Sequence, residues 1–284
     1  MKKLIKPLIY LVISFLVVSF AFRLGWIVGT AVMLAGFAFL AFVLRADLMS
    51  TYAQITYNKG DHGKAFLWFE RALKTGKMRP RTQLIYAYML IRDGVLDKSE
   101  RLINKTMFMF KDKLGDEFSN PSHLNLSIIK WKRGKITEAI EELEEVYNTG
   151  FRSTVMYGTL GTYYLLNGQY AKALEFNKEA LEYNDTDQSI RDNLALNYYL
   201  CGNINAADEI YAELIEEEPT FIEPYYNYGM VLEKLGEYEA AMENFKKALT
   251  ISVKYLSTVT HEQVQAAIDA LTEKMETEKD GDNQ

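Results

Sequence analysis

Residues 154–187 read TVMYGTLGTYYLLNGQYAKALEFNKEALEYNDTD. Apolar residues recur at helical spacing on both sides of Gly168, and no strand-like alternation competes with them. The stretch predicts two helices joined at Gly168, where the turn needs a left-handed backbone. The same frame repeats along the chain. Glycines stand at Gly60, Gly94, Gly134, Gly168, Gly202 and Gly236, with gaps of 34, 40, 34, 34 and 34. Five residues after each comes a small residue: Ala65, Ser99, Ala139, Ala173, Ala207, Ala241. Seven before each is another: Ala53, Ala87, Ser127, Gly161, Ala195, Gly229. Eight before each is a large apolar one: Tyr52, Tyr86, Leu126, Leu160, Leu194, Tyr228.

Four columns in register across six units are a repeat, not chance. The two small columns mark where the helices of a unit cross, since a bulky side chain there would hold the backbones apart. The large column fills the layer between them. One such pair cannot bury its own apolar face, whereas stacked pairs share a continuous core.

These residues resemble the tetratricopeptide repeat (TPR) family, built of 34-residue helix pairs. The match is closest where Tyr157, Leu160, Gly161, Tyr164, Gly168, Tyr170, Ala173 and Ala180 fill signature positions, and in the next unit, which closes on Pro219. The resemblance implies an all-α fold, a right-handed α-solenoid over residues 46–255, in units 46–79, 80–119, 120–153, 154–187, 188–221 and 222–255. Asn177 departs from it where a large apolar residue is usual, and Lys130 where an aromatic is common. Six extra residues around Asp112–Asn120, with Gly115 and Pro121, predict a longer loop, and the apolar Met107–Phe110 before it predicts core. Thr260 with Gln263 reads as an N-terminal cap for a closing helix within residues 256–276, its apolar face formed by Val264, Ile268, Leu271 and Met275. The acidic tail 277–284 is expected to fray.

The resemblance also implies that the first helix of each unit lines a concave groove. The inward positions are then Asn125 and Trp131, Thr159 and Thr162, Asn193 and Tyr199, and Tyr226, Asn227 and Met230. Asn125, Asn193 and Asn227 share one repeat position, and a side-chain amide can both donate to and accept from an extended peptide. The reading that the row is structural stands beside this one. The family's basic clamp for chaperone C-termini is absent, since Gly158 and Asp192 stand where cations would be wanted.

Outside the repeat, the 284-residue chain is uneven. Pro7 to Phe22 carries no charge over 16 residues, and Trp26 to Leu44 none over 19. At 1.5 Å per residue these reach roughly 24 and 28 Å, against a bilayer core of about 30 Å. Residues 1–45 are thus expected to be two transmembrane helices, a tight hairpin around Arg23-Leu24-Gly25, with Gly25 and Gly29 as close-packing positions within it. Lys2, Lys3, Lys6 and Arg45 at the open ends, against Arg23 at the turn, put the solenoid and both termini in the cytoplasm. A cleavable signal peptide over residues 1–22 is the rival reading. From Phe37 to Asn58 there is no Gly or Pro, so the second span is expected to run unbroken into the first repeat helix.

The formal net charge of −6 hides a split: residues 1–134 carry 21 Lys+Arg against 9 Asp+Glu, and residues 135–284 carry 11 against 29. Lys59, Lys64, Arg71, Lys74, Lys77, Arg79 and Arg81 form a basic patch suited to anionic lipid headgroups, and the reading that they only fix topology and solubility stands beside it. The acidic half argues against nucleic acid and favours a basic peptide or domain. No catalytic constellation, metal site or cofactor motif is found: Gln265 stands where a His261-Glu262 zinc motif would need its second histidine, and Gly63-Lys64 lacks the rest of a phosphate loop. One cysteine excludes a disulfide scaffold. The expected function is a membrane-anchored adaptor that binds a protein or peptide partner, with homotypic self-assembly as the alternative and enzymatic activity not expected.

Overall fold

The computed structural model describes residues 14–110 and 115–282, which form helices and turns with no strand among them. The helices are α1 (Ser14–Leu24), α2 (Trp26–Asn58), α3 (His62–Lys74), α4 (Pro80–Arg92), α5 (Leu96–Phe110), α6 (Asp116–Lys132) and α7 (Ile136–Asn148), followed by α8 (Thr154–Leu166), α9 (Tyr170–Tyr183), α10 (Gln188–Leu200), α11 (Ile204–Glu216), α12 (Glu223–Leu235), α13 (Tyr238–Thr250) and α14 (His261–Asp282). They fall into two compact units, residues 1–83 and 84–284.

In the first unit the backbone breaks at Gly25 (φ 145°). Beyond it the Phe22 ring lies against Gly29, where a β-carbon would collide with it. The expectation of two spans is corrected here. Among the described residues only α2, with 33 residues, is long and apolar enough to cross a membrane. The 11 residues of α1 reach about 16 Å, too short on their own, and the rest of the first apolar run lies outside the described residues. As expected, α2 continues unbroken past the apolar run to Asn58. Its far end packs on α3 through Ala53, Tyr57, Ala65 and Phe69, all buried.

In the second unit α6/α7, α8/α9, α10/α11 and α12/α13 are helix pairs, α14 closes on α13, and α5 is tied to α4 by a hydrogen bond from Ser99 to Ala87. All six turn glycines of the repeat adopt φ between 72° and 88°, the left-handed region. Ala87, Ser99, Ser127, Ala139, Ala173, Ala195, Ala207 and Ala241 are each 0% exposed, so the small columns are the crossing points. Ser99 Oγ makes the closeness explicit by donating to Ala87 O on the partner helix at 2.7 Å. Opposite the small residue at each crossing lies a side chain sixteen positions on. It is Phe69, Ile103, Leu143, Tyr211 or Phe245, each fully buried, and at Gly161 it is the buried Asn177. At α12/α13 the Phe245 ring sits so close to Gly229 that a β-carbon there would strike it.

Three local expectations are corrected. The segment Asp112–Asn120 is not one loop: α6 begins at Asp116 and carries Pro121 inside it. Pro121 sits in the second turn, where its missing N–H removes a single helix bond. Met107–Phe110 is core only in part: Met107 and Phe110 are half-buried, whereas Phe108 (85% exposed) and Met109 lie on the open side of α5. The tail does not fray at residue 277, since α14 runs on to Asp282, with Tyr238 OH donating to Glu278 Oε1 at 2.8 Å. Lys130 has its own reason: it reaches Glu142 on α7 as an ion pair, which an aromatic could not.

Two glycine substitutions separate the backbone and packing demands. Gly202 has open space around its Cα, so Gly202→Ala should cost only the left-handed strain, about 1–2 kcal/mol. Gly229→Ala keeps an ordinary helical backbone but overpacks the Phe245 crossing, at about 1–3 kcal/mol. Restoring space with Phe245→Leu in the Gly229→Ala background should recover part of the lost melting temperature, while the same change beside Gly202→Ala should recover none.

Candidate functional site

The first helices α6, α8, α10 and α12 carry all the expected groove residues. Their polar row is engaged within the protein. Asn193 Nδ2 donates to Gly158 O of the preceding unit at 2.8 Å, and its Oδ1 lies 3.0 Å from the Thr162 hydroxyl, which also reaches Gly158 O on its own helix. Asn227 Nδ2 donates to Asp192 Oδ1 at 3.0 Å, repeating the link one unit on. In both cases the amide reaches a residue 35 positions earlier, so the asparagines tie adjacent first helices together. Asn125, Asn193 and Asn227 are all buried.

Asn177 joins the same network, donating to Asn197 Oδ1 (3.3 Å) and Asn193 O (3.4 Å). Its side-chain oxygen packs against Gly161, where no β-carbon would fit. That explains both why an amide replaces the usual apolar residue at 177 and why the residue opposite is glycine.

Asp192 is the charged member. It is 7% exposed, and Oδ1 accepts from Asn227 and from Tyr211 OH, each at 3.0 Å. Burial pushes its pKa up to about 7, Glu223 adds to the rise, and the two hydrogen bonds oppose it.

The remaining groove positions are partly open: Trp131 on α6, Thr159 on α8, Tyr199 on α10, Tyr226 and Met230 on α12. Trp131 packs on Tyr163, with ring centroids 5.6 Å apart, and Tyr226 on Phe245 at 5.9 Å. Burial raises the pKa of Tyr199 and of Tyr226, and Glu233, itself paired with Lys274 at 3.3 Å, adds to both. A separate cavity of about 740 Å³ between α9, α10 and α11 is lined by Asp185, Arg191, Glu213 and Glu217, and by none of the expected groove residues. The basic patch lies in the first unit, where Lys59, Lys64, Arg71, Lys74, Lys77, Arg79 and Arg81 are all exposed. Arg79 pairs with Asp47 at 2.9 Å, and Arg71 lies 4.7 Å from the Trp68 ring centroid. Among the described residues no three His, Cys, Asp or Glu side chains come together as a metal site.

With the crossings and the turn glycines in place, comparison with known proteins is decisive for the fold. The tetratricopeptide repeat model matches residues 222–252, the last helix pair. Over 89% of this chain and 95% of the other, the architecture is that of a tetratricopeptide repeat protein from Parabacteroides merdae ATCC 43184 (TM-score 0.63, 13% identity). The fold is a TPR solenoid. A thermophilic TPR protein from Thermus thermophilus shares it over 66% of this chain and 98% of its own (TM-score 0.53, 22% identity). So does a chain of the APC/C hetero-tetramer Cut9–Hcn1, over 81% of this chain and 43% of that one (TM-score 0.64, 14% identity). A TPR repeat-containing protein of Methanocaldococcus jannaschii is 26% identical over 166 residues, 57% of this chain. The chain spans 29% of that curated relative's length.

The TPR frame makes plain what the residue-by-residue reading missed. Asp192 and Asn197 were not expected to be network members, nor Lys132 and Glu223 to face another segment. The 34-residue period held a signal for the first, because an asparagine and its acceptor differ by one period plus one residue.

Asp192 gives the site a pH signature. Its folded pKa of about 7 lies above the unfolded value of about 3.9, so the folded state binds the proton more tightly. The stabilising contribution is complete below pH 4 and is lost as the pH rises to 7. Asp192→Asn keeps an acceptor for Asn227 and Tyr211, and should remove a slope worth on the order of a few kcal/mol across this window. The test compares melting temperatures of the two proteins from pH 4 to pH 8; parallel curves would mean that Asp192 does not titrate there.

Proposed function

We propose that this TPR protein is a membrane-anchored, non-catalytic adaptor that binds a protein or peptide partner on the face formed by its first helices. The observation that carries the reading is the contrast within that face. Asn193 and Asn227 are spent on helix-to-helix links, whereas Thr159, Tyr199, Tyr226 and Met230 keep open surface without such links. Half-exposed tyrosines and a methionine offer contact area at low entropic cost. The acidic composition of residues 135–284 favours a basic partner segment. The APC/C protein with this architecture is found in a hetero-tetramer.

Anchoring rests on α2, whose apolar run continues into the first repeat helix. Next to that run, Leu48, Tyr52, Ile55 and Leu67 are exposed among the cations of the basic patch. Apolar side chains set among Lys and Arg suit the headgroup region of an anionic leaflet. The proposal places the solenoid on the cytoplasmic side.

Two experiments bear on this. Cys201 is the one cysteine of the chain and is exposed. A membrane-impermeant maleimide should leave it unmodified in intact cells and modify it after lysis; modification in intact cells would put the solenoid outside. The binding face is probed by crosslinking the full chain in its membrane, comparing wild type with Tyr199→Ala/Tyr226→Ala/Met230→Ala. The account expects adducts with a defined partner to fall at least about tenfold in the variant, as for loss of about 1.4 kcal/mol or more. Unchanged adducts from a folded variant would overturn it. Adducts consisting only of the chain itself would favour self-assembly.

A further inference from the structure

Between the end of α13 at Thr250 and the start of α14 at His261 lie ten residues, ISVKYLSTVT, that are neither repeat nor cap helix. They are held in one shape. His261 Nε2 lies 2.8 Å from Ile251 O and closes the base. Thr260 N–H donates to Gln263 Oε1 at 2.8 Å, fixing the entrance to α14. Lys254 N–H donates to Ser257 Oγ at 3.2 Å, and Ser257 N–H returns a bond to Lys254 O at 3.0 Å.

This strap crosses to distant repeats. The Tyr255 ring lies on Gly94, the turn after α4, where a β-carbon would stand 3.1 Å from the ring. Lys132, at the end of α6, places its ammonium 5.2 Å from the Tyr255 ring centroid and 3.9 Å from that of Trp131. The same ammonium donates to Ser257 O at 3.5 Å. In the first turn of α12, Glu223 Oε1 accepts from Thr258 N–H at 2.7 Å and from its hydroxyl at 3.3 Å. Burial lowers the Lys132 pKa, with the Glu223 charge partly offsetting it, so both groups share the seat.

The contact pattern is that of a bound peptide. An aromatic side chain rests on a glycine turn under a cation, one backbone carbonyl takes a proton donor from lysine, and the next N–H gives one to a carboxylate. Trp131, an expected groove residue, forms the floor beside the lysine. Yet the grip is partial: Tyr255 remains 41% exposed and Val253 40%. At its ends the strap is fixed, since Val259 is 6% exposed and packs in the core with Val264 and Leu271, and Ile251 packs against the same core; the part held by the seat is residues 252–258.

We propose that Gly94, Trp131, Lys132 and Glu223 form a peptide seat, that residues 252–258 are its built-in occupant, and that the partner is an extended segment with an aromatic side chain that displaces this strap. The inference deepens the adaptor reading and rests on it, because it names the partner's chemistry. A first-helix surface occupied by the chain itself has its apparent affinity reduced by the fraction of time the strap is seated.

The probe is a fluorescent peptide with the sequence of residues 251–260, titrated by anisotropy into the full chain in detergent. Tyr255→Ala removes the aromatic side chain from Gly94 and Lys132 and so weakens the built-in occupant, leaving the Ser257 and Thr258 bonds and the residues Gly94, Trp131, Lys132 and Glu223 in place. This variant should bind the peptide at least about tenfold tighter than wild type does, because the competing occupant is weakened. Replacing the tyrosine of the peptide by alanine should abolish binding, and so should Lys132→Ala/Glu223→Ala in the Tyr255→Ala background. Equal binding to wild type and Tyr255→Ala, no binding to Tyr255→Ala, or indifference to the peptide's tyrosine would each overturn the proposal. A measurement on wild type guards against a misfolded variant: saturating peptide should speed hydrogen exchange of the 252–258 amides, and unchanged exchange contradicts displacement. The face at Tyr199, Tyr226 and Met230 is read from a different variant. A peptide that fails here while that face still crosslinks its partner therefore refutes the strap alone.

Discussion

Everything in the second unit depends on the close crossing of two helices at paired small residues. Ala, Ser or Gly at the crossing brings the backbones near enough for a side chain sixteen positions on to be fully buried against the partner helix. Burying a phenylalanine or leucine in this way is worth about 1.5–3 kcal/mol per side chain. No single pair supplies enough of these to fold alone, so the gain is realised only when neighbours stack. The left-handed glycine turns set the pairing, and the stacking then brings the first helices side by side.

That juxtaposition has a polar consequence. Two first helices in contact present backbone carbonyls and side chains across a seam partly closed to water, where an unpaired polar group is costly. The chain fills the seam with amides: Asn193 to Gly158, Asn227 to Asp192, and Asn177 to Asn197. Asp192 carries a charge into this seam and is the one group there whose pKa is brought near neutrality. The seam is thus specified by directional bonds as well as by volume. The open surface left for binding is the set of side chains these bonds do not use.

The helix pairs, the turn glycines and the crossings were legible in the sequence because each rests on a local, periodic demand. Gly202 needs φ of 83°, and Ala207 needs no space, whatever the tertiary context. The unbroken α2 was legible for the same reason, since absence of Gly and Pro is a local property. What escaped was set by contacts far apart in sequence. Met107–Phe110 looked like core because it is apolar, but only packing decides which face of α5 is covered. Pro121 looked like a loop signal, but early in a helix it is tolerated. The asparagine row had the composition of a ligand-binding surface, and its actual partners became visible only with the preceding unit in place. The strap had no periodic signature at all: Tyr255 meets Gly94 across 161 positions of chain.

The account's central claim is that the first-helix face, and not the outer face, is where this protein meets its partner. The most direct measurement places a photoreactive amino acid at position 226 on α12, or at exposed position 209 on α11, in the full chain within its native membrane. Illumination should give a discrete heteromeric adduct from position 226 and none from position 209. Adducts from position 209 alone, or in equal yield from both, would contradict the account.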